Sequence, residues 1–83
     1  MVMKEKLYNL IKEQIKDKNI ILDENMDFQN DLGINSLLMV DLIVNIESEF
    51  NISIPDKDIP KLNTIQSLFE YVRAINIYKR KEV

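Results

Sequence analysis

Apolar residues recur at three- and four-residue spacing in three stretches of the chain, separated by two segments in which the period breaks. Met3, Leu7, Leu10, Ile11 and Ile15 form the first series, and the spacing predicts an amphipathic helix over residues 3–16. From Ser36 to Phe50 the period returns, with Met39, Leu42, Ile43, Ile46 and Phe50 on one face. The third series is Ile65, Leu68, Phe69, Val72 and Ile75, and Thr64, a good N-cap, stands just before it. Between the first two series, "DKNIILDENMDFQNDLGIN" reads as a long loop pinned by Ile21, Leu22, Phe28 and Leu32. Between the second and third, "NISIPDKDIPKL" holds both prolines and allows at most one short irregular turn of helix. The pattern predicts an all-α fold: a small four-helix bundle of three main helices and one short irregular one, a single domain over residues 1–83 whose basic tail, residues 77–83, frays.

Composition narrows the chemistry. Eighty-three residues, 46% of them hydrophobic, suffice for one small core but not for a catalytic cleft between subdomains. There is no cysteine for thiolate chemistry or disulfides and no histidine, the commonest general base and metal ligand. Self-contained catalysis is therefore not expected, nor is a metal centre. The start of the chain does not read as a signal peptide, and the apolar runs are too short to span a bilayer. A cytoplasmic location follows as an expectation, and the Asn51-Ile52-Ser53 sequon is then inert.

The net charge of −3 conceals an asymmetry. Residues 23–58 carry nine acids against Lys57 alone, −8, whereas residues 1–22 sum to +2 and residues 59–83 to +3. An acidic centre repels nucleic acid and favours basic protein surfaces. Two acidic patterns carry no chemistry. Asp23, Asn25 and Asp27 mimic the start of a calcium loop, but Phe28 occupies the position that needs Gly and Ile34 the position that needs Glu. Asp56 and Asp58 flank a lysine on a Pro-bounded turn, and read as a helix cap and a solvated charge.

The stretch "DLGINSLLMVDL" holds the only glycine of the chain, three residues before Ser36. Serine at a helix start is ordinarily an N-cap. Here a capping box would place Glu or Gln where Met39 stands, and Asn35 is itself an adequate cap. Ser36 is then free to be a first-turn residue with its hydroxyl outward, where the helix dipole and free N–H groups favour a phosphate esterified to it. Gly33 fits as the residue that turns the backbone sharply and lets another protein approach. On the residues alone, both the capping and the modified-serine readings stand.

"DLGINSL" followed by "VDLIVNIESEFNISIP" resembles the modification site and second helix of acyl carrier proteins, and the resemblance runs from the first helix to "NTIQSLFEYV". It implies that a phosphopantetheinyl transferase moves 4'-phosphopantetheine from coenzyme A onto Ser36, within a motif formed by Asp31, Leu32, Gly33, Asn35 and Leu37. The thiol of that arm then carries acyl groups as thioesters, so that the cofactor supplies what a chain without Cys or His lacks. The implied partners are that transferase and enzymes of the acyl transferase, ketosynthase or acyl-ligase type, and the implied state is a monomer. Asn35 replaces a frequent Asp, Leu38 stands at a commonly acidic position, and "PDKDIPKL" thins a Glu-rich turn. These departures favour a polyketide or other specialised pathway over housekeeping fatty-acid synthesis. Ile34 after a single Gly argues against an amino-acid or peptidyl carrier, and D-alanyl carriers come third. A helical adaptor without the arm is the alternative of a different class.

Helix periodicity gives the second helix another apolar face. Leu37, Val40 and Val44 fall nearly opposite the Met39–Phe50 stripe, together with Asp41. With Glu47, they form a candidate partner-docking surface, an apolar patch rimmed by acids beside Ser36.

Overall fold

The computed structural model describes the backbone of residues 2–81 and the side chains of residues 3–78. Three α-helices, α1 (Val2–Glu13), α2 (Ser36–Phe50) and α3 (Ile65–Lys81), are joined by a long first connection and by a second that contains a 3-10 helix, Asp56–Lys61. No strand occurs among the described residues; an isolated antiparallel bridge pairs Asp27 with Thr64. The all-α four-helix architecture is as the periodicity predicts.

Each helix buries its predicted stripe. Leu7 and Ile11 of α1, Leu42 and Ile46 of α2, and Ile65, Leu68 and Val72 of α3 are fully buried, in one apolar cluster that contains no buried polar or charged residue. At about 25 cal/mol per Å² of apolar area, this cluster is the main term favouring the fold. Phe50, Phe69 and Ile75 lie at its edge, half-buried.

Two boundaries differ from the periodic reading. α1 ends at Glu13, where the backbone tightens: the N–H groups of Gln14 and Ile15 donate to the carbonyls of Ile11 and Lys12, three residues back. The Lys18 ammonium then donates to the Lys12 carbonyl at 2.6 Å, closing the end of the helix, and Ile15 is buried from just beyond it. At the other end of the chain α3 runs on to Lys81, so residues 77–81 continue the helix where fraying was expected. The last two residues of the expected tail, 82 and 83, lie outside the described residues.

The first connection is a folded platform. Asp23 and Asp27 close local turns by accepting backbone N–H groups, the first from Asn25 at 2.8 Å and the second from Gln29 and Asn30 at 2.9 and 2.8 Å. Its carbonyls also complete α3: Met26 and Glu24 accept the N–H groups of Ile65 and Gln66, two of the donors that a helix start leaves open. Thr64 and Ser67 cap the same end reciprocally, each side chain accepting the other's N–H. Phe28, Leu32 and Ile34 anchor the platform in the core, and Leu22 is half-buried. Ile21 does not pin the loop as its residue type suggested: it is 85% exposed, on the outer side of an irregular segment whose apolar anchors come later.

Candidate functional site

The residues leading from Asp31 to Asn35 each have a local structural role. The Asp31 carboxylate accepts the Asp27 N–H at 2.7 Å and folds the loop onto itself. Leu32 and Ile34 are buried on either side of Gly33, whose φ of +67° lies in the left-handed region that costs an L-residue strain. An added Cβ at Gly33 would meet nothing within 4 Å, so the glycine is needed for its backbone angle. Asn35 is the N-cap of α2, its side-chain oxygen accepting the Leu38 N–H at 2.9 Å.

With the cap supplied by Asn35, Ser36 is the first residue of α2 and is exposed. The other three serines sit differently. Ser48 lies within α2, Ser53 in the second connection, and the Ser67 hydroxyl is committed to Thr64. The first turn of α2 contains no acidic residue, so the positive end of the helix dipole at Ser36 is not offset by a carboxylate on that turn. A phosphodiester at this hydroxyl fits its surroundings.

The two faces of α2 are distinct. Met39, Leu42, Ile43 and Ile46 are buried, whereas Leu37, Val40 and Val44 are 72%, 50% and 55% exposed and Asp41 is exposed beside them. Glu47, the other acid of the expected docking surface, is half-exposed, and its carboxylate accepts the Ile54 N–H at 2.7 Å. It ties the second connection back to α2, because that connection turns at Asn51, in the left-handed region at φ 54°, and lays Ile54 alongside the last turns of the helix.

An open groove of about 440 Å³ lies beside Ser36, with Met39 and Val40 of α2 on one side and Ile59 and Pro60 of the 3-10 helix among its other lining residues. The 3-10 helix is joined to α3 through Asp58, whose Oδ2 accepts the Tyr71 hydroxyl proton at 2.7 Å while its Oδ1 lies 3.5 Å from the Lys61 ammonium. The Tyr71 hydroxyl bond, aided by Lys61, holds the Asp58 carboxyl below its ordinary value. Burial, and then the bond and charge of Asp58, push the Tyr71 phenol up to about 12. This pair was not visible in the sequence, where Asp58 read as a solvated charge. The two residues are thirteen apart, and no local pattern links them.

A sequence model of the phosphopantetheine attachment site matches residues 5–72. The chain belongs to the acyl carrier protein family. It is 36% identical over 70 residues to the acyl carrier protein of Chlorobium phaeobacteroides (strain DSM 266), covering 84% of this chain and 90% of that relative. The acyl carrier protein of Chlorobium phaeovibrioides (strain DSM 265) is 34% identical with the same coverage. The protein is thus an acyl carrier, a substrate and partner of enzymes and not itself a catalyst, and its cofactor is covalently attached 4'-phosphopantetheine. Acyl carriers work with a phosphopantetheinyl transferase and with biosynthetic enzymes. Among the described residues no helix is long and apolar enough to cross a membrane.

Proposed function

We propose that Ser36 is the residue that carries the 4'-phosphopantetheine arm, and that the protein serves a polyketide or other specialised acyl pathway in the cytoplasm. The observation that carries the assignment is the division of labour at the start of α2: Asn35 caps the helix, which leaves the exposed Ser36 hydroxyl uncommitted to capping. Asp31, Leu32, Gly33, Asn35 and Leu37 frame it. When attached, the arm supplies the thiol on which acyl groups travel as thioesters. The pathway reading is supported by the neutral Asn35 and Leu38 and by Lys57 and Pro60 in the second connection, which thin the acidic surface near the arm.

Leu37, Val40, Asp41 and Val44 form the surface on which partner enzymes dock, apolar at its centre with an acid at its edge. Glu47, half-exposed, is the other acid of this surface while one of its carboxylate oxygens accepts the Ile54 N–H. Intact-protein mass spectrometry tests the assignment. With coenzyme A and a transferase, the wild type gains one phosphopantetheine and Ser36→Ala gains none while remaining folded. Modification of Ser36→Ala overturns the assignment, and no gain in the wild type identifies an adaptor without the arm. Val44→Asp leaves the melt unchanged and slows loading; loading at the wild-type rate, or unfolding, removes the docking assignment.

A further inference from the structure

The 3-10 helix Asp56–Lys61 is held in place by few contacts, among them the half-buried Ile59 packed against the core cluster. None of its residues is buried, its N-cap makes no side-chain hydrogen bond, and Pro60 within it has no N–H to donate. Between the buried anchors Ile54 and Leu62, only Asp58 and Ile59 are even half-buried. Its internal support includes the Asp58 N–H donating to the Pro55 carbonyl and the Leu62 N–H donating to the Ile59 carbonyl, both at 3.0 Å. Tyr71 rises from α3, packs its ring against the core cluster, and gives its hydroxyl proton to Asp58 at 2.7 Å. A bond from a neutral hydroxyl to a carboxylate is among the stronger hydrogen bonds, and this one joins the segment to a rigid helix. The segment so tied contributes Ile59 and Pro60 to the groove whose other lining residues include Ser36, Met39 and Val40.

We propose that Tyr71, acting through Asp58, is a positioning residue that fixes the Ile59–Pro60 wall of the groove beside Ser36, and so sets how far the arm attached there is sheltered from solvent. The inference rests on Ser36 being the attachment site. The ring of Tyr71 serves the core and its hydroxyl serves the wall, so Tyr71→Phe removes the strap while keeping the packing. Lys61, 76% exposed and 3.5 Å from the other carboxylate oxygen, does not replace it, because both its ends lie on the wall itself.

The test uses holo-protein of the wild type, Tyr71→Phe, Asp58→Ala and the double variant, with intact mass confirming the arm on each; absence of the arm from the wild type refutes the attachment reading and is read separately. Two rates are then measured: alkylation of the arm's thiol by iodoacetamide, against free pantetheine, and amide hydrogen exchange at Asp58 and Leu62. The wild-type arm reacts several-fold more slowly than free pantetheine. Each single variant reacts several-fold faster than wild type and exchanges faster at Leu62, as Tyr71→Phe does at Asp58, and the double variant exceeds neither single one, since all three break the same contact. Equal alkylation rates in wild type and Tyr71→Phe overturn the proposal, even if exchange changes, because the contact is then only structural. Multiplying effects in the double variant also overturn it, because the two residues then act independently.

Discussion

The two connections of this protein are secured by different means. The first, residues 14–35, is stitched by main-chain hydrogen bonds: its carbonyls complete the N-terminus of α3, its aspartates close turns on neighbouring N–H groups, and Phe28, Leu32 and Ile34 enter the core. The second, residues 51–64, is anchored near its ends by Ile52, Ile54 and Leu62, while its middle is tied to α3 through the Asp58–Tyr71 pair and packs the half-buried Ile59 against the core. Many coupled bonds and buried side chains make a platform that opens only at considerable cost. A segment with no fully buried residue, held by the Asp58–Tyr71 bond and the partial packing of Ile59, opens at lower cost. Ser36 follows directly on the first connection and lines a groove together with Ile59 and Pro60 of the second.

Emptying the core beneath the platform has the largest effect. Phe28→Ala destabilises by about 3 to 5 kcal/mol, as loss of a buried aromatic does. Ile59→Ala, which removes a half-buried side chain from the second connection, costs about 1 kcal/mol by the transfer of partly covered methylenes. Urea melts of the two variants compare the connections directly, and equal midpoints would break the distinction.

Gly33 sharpens it next. Gly33→Ala meets no neighbour, so its cost is the left-handed backbone alone, about 1 to 2 kcal/mol. Gly33→Asn costs less, since Asn tolerates that region. The expected order of melting temperatures is wild type, Asn, Ala; an alanine variant as stable as wild type contradicts the strained turn.

The strap of the second connection titrates. Asp58, held below its ordinary value mainly by the Tyr71 hydroxyl, contributes stability that is present above the unfolded carboxylate value and lost as pH falls through the lower folded value. Tyr71, pushed up to about 12 by burial and then by Asp58, contributes stability that is present below 10.0 and lost as pH rises toward about 12. In melts recorded across pH, the difference between wild type and Tyr71→Phe is therefore largest near neutrality and shrinks at both ends. A difference constant with pH would mean that the pair is not coupled to folding.

Salt gives the smallest effect. Repulsion among the acids of residues 23–58 is screened over roughly 8 to 10 Å at physiological ionic strength, so the melting temperature rises slightly from low to moderate salt. The folded chain moderates this rise. Lys4 and Lys6 of α1 lie 3.9 and 3.3 Å from Glu24 and Glu49, exposed pairs of the kind that salt weakens. A falling melting temperature would show that these pairs outweigh the repulsion.

The sequence by itself determined what depends on neighbours along the chain. Helical period gave α2 from Ser36 to Phe50 and both of its faces, because burial of one stripe decides which side of a helix meets the core. Turn and capping chemistry placed Thr64 at the start of α3 and made Asn35 a sufficient cap, because an N-cap acts over only three residues. The acyl-carrier resemblance was legible for the same reason: its motif is contiguous. Only the tertiary structure decided what depends on residues far apart. It left Ile21 exposed, bonded the Glu47 carboxylate to the Ile54 N–H, brought lysines of α1 over acids of the middle, and joined Asp58 to Tyr71 beside the groove at Ser36. Those placements are fixed by the path of the connections, and hydrophobic periodicity carries no information about where two distant side chains meet.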